Sequence, residues 1–139
     1  MGGLHATAEF PNALEAAHGA RTLVRAVLAA WDCDDPDEVA VLLTSEVVAN
    51  AVRHAATACA VRVNLEGDLL RVEVADGSPA LPRLRSPGPN DFGGRGLLLV
   101  ESFARRWGAE ATPTGKVVWF DVLVRPKTGT RQPERSARR

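Results

Sequence analysis

The fold is decided by the stretch Thr44-Ser45-Glu46-Val47-Val48-Ala49-Asn50-Ala51-Val52-Arg53-His54-Ala55. Apolar residues in and before this stretch recur at steps of three and four, which predicts an amphipathic helix from about Asp37 to Ala56. Glu46, Asn50 and His54 stand four residues apart, so they share one stripe of that helix beside its apolar face. A carboxylate, an amide and an imidazole in a row suit proton transfer, coordination of a hard cation such as Mg²⁺, and contact with a phosphate. Taken alone, the same spacing fits an ordinary solvated helix face equally well.

Length, charge and cysteine content limit the classes of protein to which this chain can belong. The 139 residues suffice for one domain with a real core, and the formal net charge of zero gives no bias toward nucleic acid or membrane. No basic region followed by an apolar run opens the chain, so we expect no signal peptide and a cytoplasmic protein. Cys33 and Cys59 match no metal-ligand spacing and are expected to be reduced and structural.

The segment before the central helix is predicted to contain one strand and one helix. Residues 4–10 alternate well enough for a strand, and Asn12 is predicted to cap a helix running from 13 to 31. Asp35 is predicted to cap the central helix, with Pro36 at its first position.

The segment after the central helix is predicted to add two hairpins and a third helix. Alternating residues at 58–65 and 69–75 flank a tight turn, which indicates an antiparallel hairpin. The third helix is predicted to begin at Gly96, to carry Arg105 and Arg106 in its last turn, and to stop at Gly108. Strands are predicted at 109–112 and 117–124, with a turn at 113–115 between them.

This order of elements predicts an α+β fold: a two-layer α/β sandwich with a mixed, mostly antiparallel sheet and helices on one face. One domain is predicted over residues 1–126, followed by a disordered basic tail at 127–139. The segment between Asp76 and Gly94 is rich in proline and glycine and has no periodicity. Such a long loop in a compact domain is usually functional or disordered.

Two further sequence features suit a nucleotide. Gly93-Gly94-Arg95-Gly96 is placed where this loop enters the third helix, and backbone N–H groups at a helix start bind anions. A simple turn or hinge explains four such residues equally well. Asp76 ends an apolar strand, where a carboxylate can accept a hydrogen bond from an exocyclic amine, although turn-capping aspartates are commoner.

The three features together resemble the GHKL ATPase superfamily, which includes the ATP-binding domains of gyrase, histidine kinases and chaperones. The chain looks most like the anti-sigma-factor serine/threonine kinases, the small single-domain branch of that superfamily. The resemblance covers about Ala8 to Val124 and implies the Bergerat-type ATP-binding fold. The matching motifs are the helix segment 45–55, Gly94-Arg95-Gly96-Leu97, Arg106-Trp107-Gly108, and Gly115-Lys116-Val117-Val118-Trp119-Phe120.

The resemblance also implies roles for individual residues. Glu46 would activate the attacking hydroxyl or water, Asn50 would coordinate Mg²⁺, and Asp76 would bind the adenine amino group. The loop from 78 to 90 would be the ATP lid. The remaining residues implied to bind ATP are His54, Gly77 and the phosphate cradle formed by the backbone amides of Gly93, Gly94, Arg95, Gly96, Leu97 and Leu98, with Arg95 near the phosphates.

This chain departs from the family pattern in two places. The adenine motif of the family often reads Asp-x-Gly-x-Gly, but Ser78 and Ala80 stand where those two glycines would be. Lys116 and Val117 stand in the region where many relatives carry a hydroxyl residue near adenine.

The resemblance implies an ATP-binding anti-sigma factor that phosphorylates a STAS-type anti-anti-sigma partner and sequesters a sigma factor. A homodimer through the first strand and helix is implied, with no direct contact to nucleic acid or membrane. The alternative is a non-catalytic interaction module that retains the ATP-binding fold. A stand-alone histidine-kinase domain is disfavoured, because His5 and His18 lack the helical context of a phospho-acceptor.

Overall fold

The computed structural model describes residues 3–79 and 92–127, and for residues 92–96 it describes the backbone alone. The elements, in chain order, are β1 (Leu4–Phe10), α1 (Glu15–Ala30), β2 (Cys33–Asp34), a 3₁₀ turn (Pro36–Glu38), α2 (Val39–Ala55), β3 (Cys59–Glu66), β4 (Leu69–Asp76), α3 (Phe92–Phe103), β5 (Arg106–Thr112), β6 (Gly115–Leu123) and β7 (Arg125–Pro126). Within the described residues, no helix is long and apolar enough to cross a membrane.

The main sheet contains five strands in the order β1-β3-β4-β6-β5, and all four of its pairings are antiparallel. The short strands β2 and β7 form a second, two-stranded sheet. The predicted α+β sandwich is therefore confirmed, with an antiparallel rather than a mixed sheet in the described part of the chain.

Alternation along the central strands places one apolar face against the helices. Val61, Val74 and Val118 are directly opposite one another on β3, β4 and β6, and further rows of valine, leucine and phenylalanine repeat the pattern. These side chains form one core with the buried faces of α1 and α2. Because a slip of one residue would turn a whole strand's apolar set outward, burial of these rows fixes the register.

The Asp35 side chain holds the start of α2, but the predicted positions are wrong: Glu38 immediately precedes the helix, and Pro36 lies in the 3₁₀ turn before it rather than at its first position. Its carboxylate accepts hydrogen bonds from the backbone N–H groups of Ala40 at 2.9 Å and Val41 at 3.2 Å. Partial burial raises the pKa of Asp35 above its ordinary value. A 3₁₀ turn separates this cap from the helix, and Asp37 and Glu38 both adopt positive φ there, so α2 begins at Val39.

The predicted cap of α1 is wrong. Asn12 does not cap this helix, which begins at Glu15 without a side-chain cap. The Asn12 amide instead donates to the carbonyls of Val52 and Thr57, both at 3.1 Å. Asn12 therefore joins the end of β1 to the end of α2, a contact across 40 residues that local patterns do not reveal.

The predicted bounds of α3 are also wrong at both ends. The helix begins at Phe92 rather than Gly96, and it ends at Phe103. Arg106 and Gly108 belong to β5, where Gly108 leaves room for the Trp119 ring: a Cβ on Gly108 would lie 2.8 Å from that ring. Gly108 therefore serves strand packing rather than helix termination.

Candidate functional site

The polar stripe of α2 lies at the border between core and surface. Glu46 and Asn50 are half-buried, whereas His54 is exposed in the last turn of the helix. The Asn50 Oδ1 atom accepts a hydrogen bond from Nη2 of Arg53 at 3.0 Å. The stripe therefore presents one carboxylate and one amide in partly shielded positions, with the Arg53 guanidinium and the His54 imidazole toward the end of the helix.

The neighbouring helix α1 supports this stripe from the side. Nη1 of Arg21 donates to the hydroxyl of Ser45 at 2.7 Å, next to Glu46. Further along α1, Arg25 forms a two-point ion pair with Glu38, at 3.0 and 3.1 Å. Both arginines of the α1 surface thus contact the region that leads into the stripe, and they fix how α1 and α2 lie together.

Asp76 ends β4 on the helix-covered face of the sheet and forms a buried ion pair. Its Oδ1 atom accepts hydrogen bonds from the Lys116 ammonium at 3.0 Å and from the Ser78 backbone N–H at 2.8 Å. The side chains are 2 % exposed for Asp76 and 7 % for Lys116. Cys59 is directly opposite Asp76 on β3, and burial, followed by the charge of Asp76, raises the pKa of its thiol.

Thr57 connects the end of α2 to the turn after Asp76. Its hydroxyl accepts a hydrogen bond from the Gly77 N–H at 2.9 Å and donates to the Ala58 carbonyl at 3.0 Å. The Asn12 amide fixes the Thr57 carbonyl from the other side. This contact joins the end of α2 to the turn that follows Asp76, across 20 residues that local sequence patterns do not connect.

Gly115 brings β6 against the backbone of Asp76. A Cβ at Gly115 would lie 1.9 Å from the Asp76 carbonyl oxygen and 2.7 Å from the Gly77 Cα, and Gly115 has a φ of 156°. No L-residue side chain fits there. Gly115 is predicted to be a turn residue, whereas in the structure it allows the close approach that places Lys116 beside Asp76.

The glycine-rich segment forms the first turn of α3, not a loop that precedes it. Gly93 and Gly94 therefore lie among the first four residues, whose N–H groups have no partner within a helix. Leu97 and Leu98 lie one turn further, where the backbone N–H groups bond within the helix, and the Leu97 side chain is buried. The predicted lid, residues 78–90, lies outside the described residues from position 80 onward, as does the side chain of Arg95.

These donor groups suit a nucleotide with Mg²⁺. A helix N-terminus suits phosphates, a buried carboxylate suits an amine, and an amide oxygen suits a hard cation. Within the described residues no group of three or more His, Cys, Asp and Glu side chains is arranged for a metal. A protein-only cage is therefore not formed there, whereas Mg²⁺ is commonly held by one protein oxygen, water and substrate phosphates.

Comparisons with known proteins bear on the family and the fold. The family model described as the histidine kinase-like ATPase domain matches residues 10–122. Among solved structures, the chain is similar to the RsbU and RsbW domains of Rv1364c from Mycobacterium tuberculosis, with a TM-score of 0.67 and 23 % sequence identity. The match covers 88 % of this chain and 33 % of that one, and likeness at this identity shows the fold. No curated protein matches the chain.

Proposed function

The chain belongs to the family of histidine kinase-like ATPase domains, and from this premise we propose that it is an ATP-binding anti-sigma regulatory factor. It phosphorylates an anti-anti-sigma partner on serine or threonine, and it sequesters a sigma factor. The observation that carries the proposal is the buried Asp76 carboxylate at the end of β4. The next residue, Gly77, donates its backbone N–H to the hydroxyl of Thr57, which lies two residues beyond the end of α2. This hydrogen bond links the turn after the proposed binding carboxylate to the end of the helix that carries the proposed catalytic stripe.

In this proposal the binding roles are divided among three elements. Asp76 of β4 accepts the adenine amine, with Gly77 beside it. Asn50 of α2 contributes its amide oxygen to Mg²⁺, and the first-turn N–H groups of α3 receive the phosphates. His54, in the last turn of α2, is the third proposed nucleotide contact of the same stripe. ATP supplies the phosphoryl group that is transferred.

Glu46 is the proposed catalytic base. It lies four residues before Asn50, which is about 6 Å along the helix axis, so a proton acceptor and a cation ligand are adjacent. Its half-buried position lets it face both the nucleotide and a docked hydroxyl. Because phosphoryl transfer depends mainly on positioning and charge neutralisation, these few groups can suffice.

Nucleotide binding is tested by calorimetric titration of ATP with Mg²⁺ into the wild type, Asn50→Ala and Asn64→Ala. Asn64 lies on β3 directly opposite His5 and Arg71, so it undergoes the same chemical change away from the site. We expect the wild type and Asn64→Ala to bind ATP. Asn50→Ala should bind ATP at least tenfold more weakly than the wild type when Mg²⁺ is present, and this difference should disappear when Mg²⁺ is left out. Absence of binding to the folded wild type would refute the nucleotide site.

Catalysis is tested separately, with γ-labelled ATP and candidate STAS-type partners. Transfer of label to a partner serine or threonine by the wild type, and at least 100-fold slower transfer by Glu46→Gln, is expected. Glu73→Gln, on the other face of the sheet, serves as the matched control. If ATP binds but no partner is phosphorylated, the kinase part of the proposal is wrong.

The Lys116–Asp76 ion pair favours a second candidate function, a non-catalytic interaction module. The carboxylate that would accept the adenine amine already has a cationic partner, so the fold can be retained for protein contacts alone. This alternative predicts that Glu46→Ala leaves sigma-factor binding and its cellular effect unchanged, and that ATP does not change the affinity for the partner.

We further propose a homodimer through β1 and α1. β1 is an edge strand of the main sheet, so one side of its backbone has no strand partner in the described sheet, and Leu4 is exposed there. Sedimentation equilibrium should give twice the monomer mass for the wild type and a monomer for Thr7→Pro.

We place the protein in the cytoplasm, without direct nucleic-acid or membrane contact, as a single domain over residues 1–126.

A further inference from the structure

The Lys116–Asp76 pair is placed by the sheet itself. The two residues are directly opposite each other on β6 and β4, and they continue the rows that place Val118 opposite Val74. Alternation therefore sends both side chains to the helix-covered face, where they are almost fully buried. Removing two charges from water is costly, and such pairs often stabilise a protein no better than apolar residues do. Stability alone is therefore a weak explanation for a lysine at this position.

The hydrogen bonds of this pair are incomplete. A lysine ammonium has three N–H donors, and among the described residues it has one acceptor, Oδ1 of Asp76. The same oxygen also accepts the Ser78 N–H, so both donors that the described residues give to Asp76 meet Oδ1. Two ammonium N–H groups and the second carboxylate oxygen therefore remain for a group from outside these residues. Buried polar atoms are usually satisfied, so this pair has the chemistry of a binding site.

The pair offers a donor and an acceptor side by side, about 3 Å apart. A lone carboxylate binds an amine and repels a carbonyl oxygen, whereas a carboxylate beside an ammonium binds both. Adenine carries an amine next to a ring nitrogen acceptor. Guanine and hypoxanthine carry a ring N–H next to a carbonyl oxygen, O6. Each of these edges complements the pair.

We propose that Lys116 is a base-reading residue that admits 6-oxopurine nucleotides, those of guanine and hypoxanthine, in addition to 6-aminopurine nucleotides. The Lys116 ammonium donates to O6, while Asp76 accepts the ring N–H. This inference rests on the proposed function, because it assumes that the base of a nucleotide lies against Asp76. Asp76 alone would select adenine, and Lys116 extends the selectivity of the site to 6-oxopurines.

The experiment is a set of calorimetric titrations of the Mg²⁺ complexes of ATP, GTP and ITP. The proteins are the wild type, Lys116→Met, Lys116→Arg and, as a matched control, Lys127→Met, whose side chain is 42 % exposed. For the wild type we expect GTP and ITP to bind within about tenfold of ATP. Lys116→Met should lower the affinity for GTP and ITP relative to ATP by about 10- to 100-fold, because the remaining carboxylate repels O6 but still accepts the adenine amine. Lys116→Arg and Lys127→Met should change that ratio by less than about threefold.

The outcomes separate this inference from the proposed function. If the wild type binds ATP but binds GTP and ITP more than about 100-fold more weakly, the inference is wrong and the proposed function stands. An affinity ratio unchanged in Lys116→Met also overturns the inference. Binding of no nucleotide at all refutes both.

ITP tests the atom that is read, because it has O6 and the ring N–H but lacks the 2-amino group of guanine. Binding of GTP without ITP would therefore assign recognition to the 2-amino group and contradict the role of Lys116. Lys116→Met leaves the Asp76 carboxylate buried without its cation, so that variant is at risk of misfolding. The double variant Asp76→Asn/Lys116→Met removes both charges, and we expect it to fold and to bind GTP and ITP more weakly, relative to ATP, than the wild type does. The wild-type titrations decide the matter even if neither variant folds.

Discussion

Replacing Asp121 by asparagine should destabilise the protein substantially, although this residue lies on the sheet face that the helices do not cover. Asp121 is fully buried between two arginines. Arg71 donates to Oδ1 at 2.7 Å and to Oδ2 at 2.9 Å, and Arg106 donates to Oδ2 at 3.2 and 3.0 Å. The Arg71 guanidinium also lies 4.0 Å from the centre of the Trp119 ring, so the carboxylate is covered by cationic and aromatic side chains.

The expected loss follows from these contacts. Removing one partner of a fully buried ion pair costs about 3–5 kcal/mol. Here the side chains of Arg71 and Arg106 are 35 % and 63 % exposed, so both can be rehydrated, and asparagine keeps one acceptor oxygen. We therefore expect a loss of about 2–3 kcal/mol in the free energy of unfolding. For a domain of this size that corresponds to a fall in Tm of about 6–9 °C.

The pH dependence of this loss has a defined sign. The hydrogen bonds from Arg71, and then those from Arg106, hold the pKa of Asp121 below its ordinary value. The stabilisation is therefore fully present above the unfolded-state pKa of about 3.9, and it is lost as the pH falls through the folded-state value. The difference between wild type and Asp121→Asn should be constant from pH 6 to pH 8 and should shrink below about pH 4.

The assay is urea unfolding followed by tryptophan fluorescence. Glu73→Gln is the control, because Glu73 is on the same face and its nearest cation, Arg62, is 3.9 Å away and largely exposed. That control should change the free energy of unfolding by less than about 1 kcal/mol. A loss below about 1 kcal/mol for Asp121→Asn at pH 7, or a loss equal to that of Glu73→Gln, would refute the reasoning.

Three further substitutions test the frame of the site. Gly115→Ala should weaken nucleotide binding at least tenfold and lower Tm, because its Cβ would meet the Asp76 carbonyl. Gly67→Ala meets no atom within 4 Å, but its φ of 65° strains an alanine, so this control should leave nucleotide binding unchanged in the same titration while lowering Tm. Asp35→Ala should lower the free energy of unfolding by about 1–2 kcal/mol in urea, because the first N–H groups of α2 lose their acceptor. Asp35→Asn keeps an acceptor oxygen and should cost less than half of that. Equal losses for the two variants would contradict capping. Thr57→Val should cost about 1 kcal/mol and weaken nucleotide binding severalfold because the Gly77 N–H loses its acceptor, and unchanged affinity would show that this link does not position Asp76.

Local patterns sufficed to predict most of the fold. Alternation over β3 and β4 and the tight turn between them determine a hairpin within 20 residues, and its positions are correct to about one residue. The predictions are wrong where a residue makes a distant contact instead of capping or ending the helix next to it. Asn12 and Gly108 have the chemistry of a helix cap and a helix stop, but they bind α2 and accommodate Trp119. Nothing in their neighbourhood along the chain distinguishes these uses.

The candidate site likewise combines features that local patterns predict with a feature that depends on a distant contact. The α2 stripe is predictable because one helical period relates its members, and the structure places Glu46 and Asn50 in half-buried positions on that helix. The partner of Asp76 is not predictable in this way, because Lys116 lies 40 residues further along the chain. In sequence, Lys116 is one polar residue at the start of an apolar strand, and it is visible only as a departure from the family pattern.

The register of the sheet explains why Lys116, the departure from the family pattern, becomes the partner of Asp76. Burial of Val72 against Phe120 and of Val74 against Val118 fixes how β4 and β6 pair, and the next residues on the same face are Asp76 and Lys116. Gly115 then admits the close backbone approach that completes the pairing. Apolar packing thus determines which cation meets the carboxylate. A base site built on Asp76 therefore contains Lys116 whenever the sheet is correctly paired, and any account of its selectivity has to include both charges.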